Sequence, residues 1–248
     1  IVHHYLLDFG MSLGVNGLAL KTRGDGYERF LSLQTVLSRA LTFGLWGWHF
    51  ERFVEPGLPH VGVLEREGYR PDDYRTRVHY MPWKSRDRFD TFWAAKRLAR
   101  VEREHIEGAV AAARYPDRRS AEYVIEGLVA RRQIALRHYF GKVAPIDEIA
   151  VEGSSLCFVD LGVRHRVLAA ATYSATARDY DGRRLGRSFA LSASGERYCA
   201  QAIPTGSKER RYTIVRIRGR RAKSRLPPID IHLAEGPAGM RVIGVRRH

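Results

Sequence analysis

The residues best placed to do chemistry lie near the start of the chain, in HHYLLDFGMSLG (His3–Gly14). Tyr5, Leu6 and Leu7 read as a short apolar strand that delivers Asp8, Phe9 and Gly10. A carboxylate at a rigid strand end suits magnesium, which demands tight oxygen geometry. Glycine beside it lets the backbone turn sharply. Phosphoryl transfer uses such an ion to bridge nucleotide phosphates and neutralise developing charge. The same triplet also reads as an ordinary strand end with an Asp-containing turn, and on three letters alone that plainer reading is preferred.

A second set is the basic run ERRYTIVRIRGRRAKSR, residues 209–225. Guanidinium forks match the oxygens of phosphates and carboxylates. Arg216, Arg218, Arg220 and Arg221 are therefore the candidate contacts for an acidic or phosphorylated partner. Tyr212 interleaves with them, as in a single-strand nucleic-acid binder. The competing reading is an edge strand whose charges block unwanted pairing, and it is preferred. The chain carries 42 Lys and Arg against 27 Asp and Glu, a net charge of +15 that favours anionic partners. The arginines are spread along the whole chain without an RNA- or DNA-binding signature, so nucleic acid is not favoured.

Other reactive residues offer less. The histidines form no H-E-x-x-H and no Cys-His zinc spacing. Asp160-Leu161-Gly162 reads as a turn. GRSFALSASG lacks the G-x-S-x-G of a nucleophile elbow. Asp72 and Asp73 are a loop carboxylate pair too generic to assign. Trp46, Trp48, Trp83 and Trp93 fit a ligand platform or a core, and core is preferred. Cys157 and Cys199 fall in strand-like segments of the same half. They fit either a disulfide or two buried thiols, with thiols preferred.

The elements that must position these residues change character along the chain. Residues 15–26 read as loop. Phe30, Leu33, Val36, Leu37 and Leu41 recur at three and four, which predicts a helix over about 27–41. Four prolines make residues 53–88 irregular, a long connection of the kind that wraps a surface or carries function. A helix capped by Asp87 or Asp90 should run through Phe92, Trp93, Lys96, Leu98 and Val101. A second should bury Ile106, Val110 and Ala113, with Glu102 and Glu104 at its positive end. A third should start at a Ser120 cap, bury Val124, Leu128, Val129 and Ile134, and stop at Gly141. Beyond VAPIDEI the pattern has period two, with turn residues every 8–15 positions, which reads as an antiparallel sandwich. The expected class is α+β. Residues 1–148 form a mainly helical part opening with one strand, and residues 149–248 form a β-sandwich-like domain. No apolar run approaches the roughly 20 residues of a membrane span.

Beyond its triplet, HYLLDFGMSLG resembles a segment of a family of large bacterial proteins with an atypical kinase-like core. The resemblance continues through GYERF, TFGLWGW, VGVLEREGYRPDDY, DTFWAAKRLARV, HIEGAVAAARYPD and AEYVIEGLVARRQIALRHYF, and ends at RVIGVRRH. It thus covers most of the 248 residues in order. It implies that the helical part is the tail of a kinase-like C-lobe and that Asp8 is a magnesium ligand, with Phe9 and Gly10 completing its motif. His4 fits the pattern without an assigned role. Magnesium and ATP are then the implied cofactors. The nucleotide-binding lobe and catalytic loop would precede Ile1, so this chain is read as a fragment that is inactive by itself. The chain departs from the pattern at Met11-Ser12, at Val15 and over YRTRVHYMPWKSRDRFD. The first expectation is thus part of a phosphotransferase. The alternative is a non-catalytic binding or scaffold protein of the bacterial cell envelope using its basic β module. A periplasmic or secreted full-length form is the expected location.

Overall fold

The structure, a computed structural model, describes residues 15–16, 19–20, 33–45, 53–66, 68–73, 81–204, 211–237 and 239–248. The first elements among the described residues are a small antiparallel pair, β1 (Val15–Asn16) and β2 (Ala19–Leu20), where the sequence suggested loop. Helix α1 (Leu33–Leu41) matches the end of the expected helical stretch. A short helix, α2 (Met81–Ser85), interrupts the irregular connection. Helix α3 (Arg88–Leu98) starts where a side chain satisfies its free amides. Asp87 Oδ1 accepts from the N–H groups of Phe89 at 2.7 Å and Asp90 at 2.9 Å, while Asp90 Oδ2 accepts from Asp87 N–H at 3.0 Å. Both expected aspartates thus cap the helix, from opposite sides.

Helix α4 (Arg103–Ala112) buries Ile106 and Val110 as expected, but Ala113 lies past its end and is exposed. Helix α5 (Arg118–Gly141) begins earlier than a Ser120 cap allows. Asp117 is the capping side chain, taking the Ser120 N–H at 2.8 Å and the Ser120 hydroxyl at 2.7 Å. Ser120 is buried inside the first turn. Gly141 is the last helical residue rather than the stop beyond it. Trp93, expected in a core, is 52% exposed.

The chain divides into two units, Ile1–Arg86 with Arg97–Ala135, and Asp87–Lys96 with Leu136–His248. The cuts of this division fall before α3, inside α3 and inside α5. In the first unit, Val61 and Leu64 from the Pro-rich connection pack with Ile106, Val110 and Val124. The Tyr123 hydroxyl donates to Leu64 O at 3.1 Å. A Cβ at Gly127 would come within 2.7 Å of Leu64 Cδ2, so glycine is what lets α5 take that side chain against its backbone. Arg132, 8% exposed, donates to Ala99 O at 2.8 Å and lies 3.6 Å from Glu102 Oε2. Arg103 joins Glu107 at 2.7 Å to Glu126 at 2.5 Å.

The second unit is the expected antiparallel sandwich-like part. Strands β3 (Ile146–Glu152), β4 (Ser155–Asp160), β7 (Ser192–Ser194) and β8 (Arg197–Ala200) make one sheet in the order β3-β4-β8-β7. The other sheet has the order β12-β11-β9-β5-β6. Its strands are β5 (Thr172–Arg178), β6 (Arg184–Ala190), β9 (Tyr212–Arg221), β11 (Ile229–Gly236) and β12 (Gly239–Arg247). A two-residue strand, β10 (Ser224–Arg225), folds back on β9. Both sheets bury their inner rows in one core, with Leu156 and Phe158 from the first and Ala175, Val215, Ile217, Ile231 and Leu233 from the second. Phe92 of α3 meets Phe140 of α5 edge to face, with centroids 5.9 Å apart.

Cys157 and Cys199 stand directly opposite on β4 and β8, and they form a disulfide. The thiol reading is therefore corrected. The alternation of most strands of this unit was visible in the sequence, whereas their pairing partners were not. Among the described residues, no helix is long and apolar enough to cross a membrane.

Candidate anion-binding site

Strand β9 has the sequence YTIVRIRGRR, and its burial alternates along the strand. Thr213, Val215, Ile217 and Gly219 point into the core, while Tyr212, Ile214, Arg216, Arg218 and Arg220 occupy the outer row. The strand lies between β11 and β5, at the middle of its sheet. The expectation of an edge strand guarded by charge is thus overturned, because both of its edges are already paired.

The four arginines singled out on sequence separate into two kinds. Arg216 faces Asp230 across the β9–β11 ladder and forks onto it through two bonds of 2.6 Å. His248 Nε2 lies 2.9 Å from the same carboxylate. Burial works to raise the Asp230 carboxyl, but hydrogen bonds from Arg216 and His248 outweigh it and hold the group at about 2. Arg221 turns inward instead. Its side chain is 10% exposed, and its Nη2 donates to Asp160 Oδ2 at 2.5 Å while its Nε donates to Ala169 O at 2.7 Å.

Asp160 is fully buried and fully engaged. Its Oδ1 caps helix α6 (Leu161–Arg164) by accepting the Gly162 and Val163 N–H groups, and its Oδ2 also takes the Tyr173 hydroxyl at 2.8 Å. The sequence reading of Asp160-Leu161-Gly162 as a turn missed this role. Burial, followed by the Asp160 charge, pushes the Tyr173 hydroxyl far above its ordinary value. Tyr173 is therefore a neutral hydrogen-bond donor at any physiological pH. Asp230 and Asp160 thus commit Arg216 and Arg221 to the fold, and neither is available to a partner.

Arg218 and Arg220 remain, joined by Arg225, which the sequence reading did not select. All three are exposed. Arg225 sits directly opposite Arg220 across β9 and β10. Like charges in that position repel, so the pairing is unfavourable unless something screens it. Among the described residues no carboxylate forms an ion pair with any of the three. Arg218 makes one long contact, from Nη1 to Thr176 Oγ1 at 3.4 Å.

These arginines border a groove of about 540 Å³, together with Thr172, Ser174 and Leu226. Gly219 borders it through its backbone, and on the core side of the strand a Cβ there would come within 2.6 Å of the Tyr173 ring and 2.9 Å of Leu226. Only glycine lets the strand pass beneath both side chains. The signal for this site was present in the sequence as R-G-R-R-A-K-S-R, but strand order decides which arginines face outward unpaired.

Asp8, Phe9 and Gly10 lie outside the described residues, as does His4, and so do Trp46 and Trp48. Among the described residues no group of three or more His, Cys, Asp or Glu side chains could hold a metal ion, which leaves the Asp8 expectation untouched.

What fold and site define together is an antiparallel β-sandwich-like unit carrying a cationic groove on one outer face, in a mixed α+β chain. No protein-family model, curated protein or solved structure gives a significant match to the chain.

Proposed function

We propose that this chain is a binding module whose β unit engages an acidic or phosphorylated partner through Arg218, Arg220 and Arg225. The carrying observation is the cross-strand Arg220–Arg225 pair, two exposed like charges held face to face with no carboxylate paired to either among the described residues. Repulsion of that kind is relieved by an anion, and relief of repulsion adds to affinity. The Cys157–Cys199 disulfide supports a periplasmic or secreted setting, since such bonds persist where the environment is oxidising. The test is retention on immobilised heparin. The Arg218→Glu, Arg220→Glu double variant is expected to elute at clearly lower salt than the parent, and Arg184→Glu on β6 at nearly the parent position. Equal loss in both would assign retention to overall charge and remove the site from the proposal.

A second reading, part of a magnesium- and ATP-dependent phosphotransferase, is favoured by the HYLLDFGMSLG segment and its Asp8. It is tested in the natural full-length protein by Asp8→Ala. Loss of phosphoryl transfer with the fold intact supports it. Unchanged transfer, or none in the parent, removes it.

A further inference from the structure

Resting on the binding-module reading, we infer that the groove is built for one phosphomonoester group on a small molecule whose carbon skeleton lies against Leu226 and Pro228. Three features of the groove lead there.

The first is convergence. Arg218 and Arg220 are two residues apart on one strand, about 7 Å between Cα atoms. Arg225 faces Arg220 across the ladder, at about 5 Å. Three long side chains rooted this closely can meet on a single group. The second is stoichiometry of charge and acceptors. A phosphomonoester carries about −1.5 to −2 at neutral pH and presents three strong acceptor oxygens. A carboxylate or sulfate ester brings a single negative charge, which leaves more of the repulsion among three guanidinium groups uncompensated. The third is the remainder of the groove. A volume of about 540 Å³ is far larger than a phosphate needs and falls within the ~300–1,000 Å³ range of small-molecule sites. Leu226 and Pro228 give it an apolar side, and the exposed hydroxyls of Thr172 and Ser174 stand on the opposite strand. A bare inorganic anion would use only the cationic half.

The experiment is isothermal titration calorimetry on the whole chain with phenyl phosphate, phenyl sulfate and inorganic phosphate at one ionic strength. Phenyl phosphate is expected to bind at least tenfold more tightly than either of the others. Its affinity should fall severalfold at pH 5, below the second phosphate pKa near 6. Arg220→Gln with Arg225→Gln should weaken it at least tenfold. Arg184→Gln should leave it unchanged, with circular dichroism checking that both variants fold.

Phenyl phosphate binding no better than phenyl sulfate, with heparin retention intact, overturns the phosphomonoester assignment and leaves the binding-module reading standing. No binding of any of these, heparin included, removes both. Unaltered phenyl phosphate affinity in the double variant places the ligand elsewhere and overturns the inference. Flotation with phosphatidic acid vesicles that far exceeds phenyl phosphate binding would assign the phosphate to a membrane and overturn the small-molecule source.

Discussion

Arginine works in opposite ways in the helical unit and on the outer face of the β unit. In the helical unit Arg103 ties α4 to α5 through Glu107 and Glu126, and Arg132 closes the end of α3 by taking the Ala99 carbonyl. Each is held by groups of its own unit. On β9, two arginines are held in the same way, and two others on the same strand face solvent with a third placed against them. The residue type is therefore uninformative by itself. What separates a held arginine from an unheld one is whether the fold supplies its acceptor.

That contrast is most sharply tested where an engaged arginine loses its partner. Asp160→Ala leaves the Arg221 charge buried and the Tyr173 hydroxyl without its acceptor. The expected loss is about 3–5 kcal/mol of stability, read from urea unfolding. A loss below about 1 kcal/mol would mean that water reaches this pair. In the helical unit Arg132→Ala removes the buried donor to the Ala99 carbonyl. It should cost about 1–3 kcal/mol in the same measurement.

Acid should act on the β9–β11 ladder. Asp230 has its pKa lowered from an ordinary value near 4 to about 2 by Arg216 and His248. A depressed carboxylate stabilises the fold fully above its unfolded value, and that contribution is lost as pH falls through the folded one. Stability should thus decline between about pH 4 and pH 2 through this group, and Asp230→Asn should lessen the decline. The smallest effect is expected where the arginines are unheld. Arg220→Glu replaces repulsion with attraction toward Arg225 and should be neutral or stabilising by up to about 1 kcal/mol. A clear loss of stability there would erase the distinction between held and unheld arginines.

Much of this architecture can be read from the sequence because its signals are local. Period-two alternation after residue 150 marks most of the strands, and the spacing of Ile106 with Val110, and of Val124 with Leu128, marks the helical faces. Asp87 and Asp117 show the limits of local reading, since each is one of several capping candidates within three residues. Long-range facts are harder. No local pattern places β9 between β11 and β5, yet that placement decides that Arg216 meets Asp230, whereas Arg220 meets Arg225 through the short β9–β10 turn. The pairing of Cys157 with Cys199 depends on the same kind of register. The role of Asp160 depends on an arginine 61 residues away, and so could not be inferred from its own neighbourhood.

Near the end of the chain, Arg247 on β12 donates to the carbonyls of Ala144 at 3.0 Å and Ile146 at 2.6 Å, and its guanidinium stacks over Phe92 at 4.4 Å. The first two partners precede it by 103 and 101 residues. A chain made from its N-terminus therefore offers these carbonyls long before their donor exists. Closing so long a loop is slow and entropically costly. The β unit cannot complete itself while residue 247 is still inside the ribosome, so during synthesis its first strand must wait for its last.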